Sequence, residues 1–550
     1  MKKYVSVVFI VFLISNTTNA QGLMGKSETV FTRQDTLRGS ITKDRAWWDV
    51  KQYHLDIKVN PADSTISGSN TIRYKVLDSY NRMQIDLQEP LEIKKIIQDG
   101  KELKYQRDGN VFYIDLVAFQ NPGEIKEVAV FYGGKPKIAV RPPWDGGITW
   151  SKDNNGKPFI ASSCQGLGAS VWWPNKDHMY DEVDDMLIRV NVPKNLTNVS
   201  NGRLQSVIEL NDGTRTFNWF VSNPINNYGV NINIGDYVSF SEVYKGEKGN
   251  LDCYYYVLRD NLEKAKIHFQ DVPRMLKAFE HWFGPYPFYE DSYKLVEAPY
   301  LGMEHQSSVT YGNGFKNGYR GTDLSGTGWG LKFDFIIIHE SGHEWFANNI
   351  TYKDIADMWI HESFTNYSES LFVEYYYGKE AGAEYVRGTR KGIKNDKPII
   401  GYYDVNIEGS GDMYNKGGNM LHTLRQILND DEKWRTILRG LNSTFYHQTV
   451  TTKQIEDYLS KNVGLDLATF FDQYLRDIRI PTFEYKFKNN TLSYRWTNCV
   501  PGFNIPVKVT LNGKEQWLKP QKEWTNLPQN ARDLKVEVDK DFYVELLKSM

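Results

Sequence analysis

The pentapeptide His339-Glu340-Ser341-Gly342-His343 groups the residue types of a hydrolytic metal centre. On a helix, residues four apart share one face, so both imidazoles can address a single ion. Glu340 points about 100° away, out of reach as a ligand but able to touch water held by that ion. Eighteen residues, 344 to 361, separate His343 from Glu362. A carboxylate from a second helix, antiparallel to the first, would complete a set of two histidines and one glutamate. Such a set leaves the fourth tetrahedral position open, which distinguishes a catalytic zinc site from a structural one. Glu369 lies two turns beyond Glu362 on the same face, where it either orients a ligand histidine or stands at the surface. The rival reading of the pentapeptide, two histidines hydrogen-bonded inside a core-facing helix, does not account for Glu362. Phe333, Phe335, Ile336, Ile337, Ile338, Trp345 and Phe346 make the surrounding helix apolar on several faces. Polar groups in such a place need a reason, and one zinc ion supplies it.

The elements that must position these groups follow from periodicity. Residues 246–481 read as a mostly helical catalytic domain, with apolar residues spaced three and four apart over Asn261–Phe283, Leu331–Asn349 and Leu421–Leu428. Leu467–Asp477 reads as a further helix with Asp466 as its N-cap, and Pro481 closes the region. Residues 46–245 read as a large antiparallel β domain. Tyr53, Leu55, Ile57 and Val59 alternate with polar neighbours, and Asp212-Gly213 joins two strands as a hairpin. Short alternating segments return over 482–550, as expected for a small β-sandwich. The fold class expected is therefore α+β and multidomain, in keeping with a length of 550 residues.

Residues 1–20 have the form of a signal peptide: Lys2 and Lys3, an apolar run from Tyr4 to Ile14, and a small residue, Ala20, before Gln21. A polar leader, 21–45, follows. Export to the periplasm or the medium is expected, without a membrane span. No Cys follows the apolar run, which argues against a lipid anchor. The three cysteines, Cys164, Cys253 and Cys499, are too dispersed for a disulfide framework or a thiolate zinc site. A formal net charge of −2 argues against a nucleic-acid binder, which would normally carry a basic stripe.

Four stretches resemble the gluzincin aminopeptidases, the family of aminopeptidase N and leukotriene-A hydrolase. His339 to Phe346 resembles the family's zinc helix, including the Trp two residues past the motif. Trp359-Ile360-His361-Glu362 resembles its Trp-Leu-Asn-Glu segment. Leu301-Gly302-Met303-Glu304-His305 resembles the Gly-Ala-Met-Glu-Asn exopeptidase motif, and Tyr414-Asn415-Lys416-Gly417 its Tyr-x-Lys-Gly segment. The chain is similar to a short form without the C-terminal helical domain of many members. Leu301 and Gly302 stand where Gly and Ala are usual, and His305 replaces Asn.

The resemblance implies a saddle-like β domain, a thermolysin-like catalytic domain and a small β domain. It also implies removal of N-terminal residues from peptides, with one zinc held by His339, His343 and Glu362. Glu340 would serve as general base and Tyr414 would stabilise the oxyanion. Glu304 would hold the free α-ammonium with Gln165 assisting, while Gly302 and Met303 would line the substrate's path. Two alternatives stay open: an exported zinc endopeptidase with the same ligands, and a non-catalytic peptide-binding scaffold. The other histidines, including His54, His178, His268, His281, His422 and His447, lack ligand spacing and are expected to be structural. Trp172-Trp173 is expected to pack rather than bind.

Overall fold

The computed structural model describes residues 31–529 and 533–549. The expected signal peptide and the leader's first ten residues, 21–30, lie outside the described residues. The rest of the leader forms two short helices, α1 (Arg33–Gly39) and α2 (Lys43–Ala46). Thr32 and Asp35 cap α1 reciprocally, side chain to backbone in both directions.

The alternation of the N-terminal half becomes sheet. Strand Trp48–Asn60 buries Tyr53, Leu55, Ile57 and Val59. It sits inside an eight-stranded sheet, antiparallel to Thr65–Val76 and parallel to Asp185–Pro193. The Asp212-Gly213 hairpin joins Arg203–Glu209 to Thr214–Val221 as expected. A four-stranded and a three-stranded sheet share the same core, with Trp172 and Trp173 fully buried in it. The domain boundary differs from the one expected at 245. Tyr237–Gly246 pairs along its whole length with Gly249–Leu258. These two strands begin a five-stranded sheet that continues through Tyr293–Glu297 and Val309–Tyr311 to Gly302–Met303 at its edge. Alternation marks a strand but not the sheet it joins, so the β domain gives way near residue 236.

The helical region is more broken than its periodicity predicts. Asn261–Phe283 divides into α3 (Leu262–His268) and α4 (Asp271–Phe283). The stretch 331–349 holds only α5 (Phe335–Gly342). His343 keeps helical angles, and Phe346 and Ala347 then leave them. Beyond it come α6 (Trp359–Tyr377), α7 (Lys379–Thr389) and α8 (Asn415–Leu428). The helix expected over 467–477 is one α turn, Ala468–Phe471, followed by a wider turn. Asp466 still accepts the amide of Ala468 at 3.0 Å.

From Thr482 onward a four-stranded and a three-stranded sheet form the expected sandwich. Its Phe483, Trp496 and Val507 belong to the same apolar core as the catalytic helices, so it is fused to that domain rather than tethered. Among the described residues no helix is long and apolar enough to cross a membrane.

Candidate active site

Helix α5 is fixed before it delivers any functional group. Asp334 caps it, accepting the amides of Ile336 and Ile337 at 2.9 and 3.2 Å. The same buried carboxylate accepts from the Tyr311 hydroxyl and the Asn313 amide at 2.8 and 2.9 Å. Such a cap is worth about 1 kcal/mol and sets where the helix starts. Helix α6 then approaches α5 at Gly342. A Cβ there would lie 2.7 Å from Ser368 Oγ and 3.1 Å from Thr365 Cγ2, so glycine permits the contact.

The contact brings His339, His343 and Glu362 together, with their ligand atoms within 4.8 Å of one another. Glu362 Oε2 lies 3.4 Å from His343 Nε2 and 3.8 Å from His339 Nε2. Zinc bonds of about 2.1 Å at tetrahedral angles put neighbouring ligand atoms about 3.4 Å apart, so the spacing fits the ion. The proton positions fit too. His343 Nδ1 faces the Phe346 carbonyl oxygen at 3.0 Å, which can only accept. His339 Nδ1 donates to Glu369 Oε1 at 2.7 Å. Both Nδ1 atoms therefore carry the proton, and both Nε2 lone pairs aim at the cluster. Glu362 Oε2 is buried there without a hydrogen-bond partner, a lone pair that a cation would satisfy.

The electrostatics agree. Burial opposes charge on His343, but Glu362, Glu304 and Glu340 outweigh it and lift its pKa to about 10. Burial alone would raise the Glu362 carboxyl, and the two histidines hold it below its ordinary value instead. The pocket favours a positive charge at this spot.

Glu340 is buried on the cleft face of α5, and burial pushes it up to about 7, against the pull of His339. Gly302 passes directly over it. A Cβ at 302 would fall 2.9 Å from Glu340 Oε1 and 2.7 Å from Ile336, which accounts for glycine at this place in the motif. Tyr414 stacks on His339 with ring centroids 6.1 Å apart. Burial and the nearby Glu362 raise its pKa well above the ordinary value, so its hydroxyl stays a donor.

Glu304, one residue past the edge strand, is buried, and burial raises its pKa. Gln165 reaches it from the β domain, donating to Glu304 Oε1 at 2.6 Å and to Glu362 Oε1 at 3.2 Å. One amide thus spans Glu304 and the ligand cluster. His305 turns the other way. It is fully buried with Nδ1 3.4 Å from Thr310 Oγ1, and burial lowers its pKa to about 3. It therefore packs as a neutral ring and does not line the cleft. All the other residues singled out by sequence converge on one cleft of about 620 Å³, apart from Glu369, which stands behind His339.

Sequence reasoning missed the supports. The Tyr385 hydroxyl donates to Glu369 Oε2 at 2.7 Å, and Asn348 Nδ2 holds the Glu304 carbonyl at 2.9 Å. Neither has a spacing that announces it. His361, beside a ligand, accepts the Tyr352 amide at 3.0 Å and serves the fold.

Two histidines a helical turn apart, a glutamate from the next helix and a glutamate between the histidines define a gluzincin-type metallopeptidase centre. Residues 268–474 match the Peptidase family M1 domain, and the chain is similar to members of that family, the gluzincin aminopeptidases. It is 24% identical over 440 residues to leukotriene A-4 hydrolase of Xenopus laevis, covering 75% of this chain and 68% of that one. It is 21% identical to probable aminopeptidase 1 of Sulfurisphaera tokodaii, over 83% of this chain and 58% of the relative. Among solved structures, an M1 zinc metallopeptidase mutant from Deinococcus radiodurans bound to a Tyr-Ser-Ala substrate superposes with a TM-score of 0.65. It shares 19% identity, over 79% of this chain and 95% of that chain. A two-domain M1 zinc metallopeptidase mutant bound to L-tryptophan gives 0.67 at 20% identity, over 79% and 96%.

Proposed function

We propose that the protein is a zinc-dependent aminopeptidase that cleaves the first peptide bond of peptides with a free N-terminus. The observation that carries this reading is the buried Glu304 carboxylate, joined through Gln165 to the ligand cluster. A single zinc ion would be held by His339, His343 and Glu362, supplying a Lewis acid that acidifies water and polarises a carbonyl oxygen.

The chain's own groups do the rest. Glu340, buried on the cleft face of α5 beside the ligand cluster, accepts a proton from the attacking water and returns it to the departing amine. The Tyr414 hydroxyl donates to the oxygen on which negative charge grows. Glu369 keeps His339 in the tautomer that presents Nε2. Glu304 and Gln165 receive the α-ammonium, which places the first carbonyl at the ligand cluster. The edge strand Gly302–Met303 has a free side facing the cleft and pairs with the substrate backbone, giving broad tolerance of sequence.

An endopeptidase would have no use for Glu304, because an internal peptide brings no cation to pair with a buried carboxylate. Cleavage of one peptide with a free and with an acetylated N-terminus tests the reading. Loss of at least about 30-fold on acetylation is expected, the scale of an unpaired buried charge. Equal cleavage of both would refute it. The signal-like first twenty residues support export, which fractionation of the expressing cell checks.

A further inference from the structure

The cleft wall beside Glu304 is completed by a hairpin whose charges the proposed chemistry leaves unused. Residues 398–401 and 407–410 run antiparallel, with the Ser410 amide donating to the Pro398 carbonyl at 2.9 Å and Tyr402 bridged to Ile407. Gly409 lets the strands cross closely, since a Cβ there would lie 1.7 Å from the Ile399 carbonyl oxygen. The tip is anchored twice. Asn406 Nδ2 donates to the carbonyl of Gly166, the residue after Gln165, at 2.8 Å. Helix α1 closes over the other side, where a Cβ on Gly39 would fall 2.4 Å from the Asn406 nitrogen. The tip therefore sits at the ammonium end of the cleft, and the chain runs from the base toward Tyr414.

Glu408 lies two residues from the Asn406 anchor. It is exposed and lines the cleft together with Met303 and Met358. Among the described residues no ion pair or hydrogen bond engages its carboxylate. Lys397 also lines the cleft, just before the hairpin's first strand at its base. Met303 precedes Glu304, and Met358 lies one turn before Glu362, whose amide donates to the Met358 carbonyl at 3.1 Å. Met303, Met358 and Glu408 line the same cleft as Glu304 and the ligand cluster, so they are available to the first side chain of a substrate whose ammonium sits on Glu304.

We infer that Glu408 selects peptides whose first residue ends an aliphatic stem with a cation, lysine or arginine. The inference rests on the aminopeptidase reading above. The stem's methylenes pack on the Met303 and Met358 thioethers, which adapt to flexible chains. The cationic head meets a carboxylate inside a cleft that the substrate itself drains of water, where the attraction exceeds that of an open surface.

The test compares the zinc-loaded protein with its Glu408→Gln and Glu408→Lys variants on lysyl, leucyl and glutamyl fluorogenic amides. The quantity read is the ratio of kcat/KM for lysyl over leucyl, which partial misfolding does not move. Glu408→Gln is expected to lower that ratio about fivefold, the scale of one partly exposed ion pair. Glu408→Lys is expected to lower it further and to raise the glutamyl-to-leucyl ratio. Calorimetry gives a readout without turnover: L-lysinamide binds more tightly than L-leucinamide to the unsubstituted protein, and Glu408→Gln removes the difference. Turnover of all three amides with ratios unchanged by either variant overturns the role of Glu408 and leaves the aminopeptidase reading intact. No turnover of any amide, with internal peptide bonds still cut, overturns both.

Discussion

The two halves of the cleft are built in opposite ways. The ligand half comes from one stretch of chain: His339, Glu340, His343, Glu362 and Glu369 lie on α5, its end and α6, and each is positioned by helical geometry. The half proposed to hold the substrate's ammonium is assembled from parts far apart in sequence. Gln165 comes from the β domain, Glu304 from beside an edge strand, Asn348 from an irregular turn, and Glu408 from a hairpin held by Gly166 and α1. On the proposed function, chemistry that any zinc hydrolase shares is encoded locally, whereas the choice of which bond to cut depends on the docking of two domains. Damage to the first half should abolish turnover and spare substrate preference. Damage to the second should do the reverse.

The sharpest way to break this contrast is Glu340→Gln. Loss of the proton acceptor is expected to lower kcat by about 10³- to 10⁴-fold. Zinc content should be unchanged, since Glu340 is not among the three proposed ligands. Metal analysis beside kinetics checks it, and normal turnover in the variant removes the base from the scheme.

Glu304→Gln attacks the other half. A neutral amide cannot pair with an ammonium, so kcat/KM for free N-termini should fall about 30- to 1000-fold. Acetylated peptides should lose much less, because they bring no ammonium to pair, and the gap between the two substrates narrows. If both fall equally, Glu304 acts on the chemical step and the division into halves is wrong.

How much could be read beforehand follows the same line. Within the ligand half, the four-residue spacing of the histidines and the seven-residue spacing of Glu362 and Glu369 each put a pair on one helix face, but spacing left Glu369 between a support for His339 and a place at the surface. Glu304, Gln165 and Tyr414 were legible only through resemblance, since no period links residues 165, 304 and 414. Gly302 shows why their exact setting could not be read: its glycine answers to the bulk of Glu340, a contact across 38 positions of sequence. The early end of α5 had no signal either, because Phe346 and Ala347 leave the helix where a carbonyl must turn to meet His343. Strand Tyr237–Gly246 falls almost wholly inside the range read as the β domain yet pairs with Gly249–Leu258 in the catalytic sheet, since pairing partners are a tertiary choice.

Glu369→Gln probes the support behind the ligand half at smaller scale. An amide still accepts from His339 Nδ1 but brings no charge to strengthen the ligand, so zinc affinity should fall about tenfold or more. Titration against a competing chelator measures it. The lysyl-to-leucyl preference should not move, and a change in it would mean that the two halves communicate through the metal.

The last effect is on stability and concerns the domain contact on which the proposed ammonium half depends. Lys294, on the central catalytic sheet, is buried against the β domain, donating to the Gly202 carbonyl with its ammonium 5.7 Å from the Trp219 ring centre. Burial lowers its pKa to about 7, against the pull of Asp291. Below pH 7 both folded and unfolded chains carry the charge, and the folded state bears the cost of burying it. Between pH 7 and the ordinary lysine value the unfolded chain holds a proton that the folded chain has released. Stability from this group therefore rises with pH, by at most about 1.4 kcal/mol per unit. Lys294→Met should remove that slope, so the difference in unfolding free energy between the two proteins should shift between pH 7 and 9 in favour of the unsubstituted chain. Denaturant titrations at three pH values in that window measure it. A difference that stays flat means that the lysine keeps its proton at the interface and that the carbonyl of Gly202, rather than loss of charge, makes its burial tolerable.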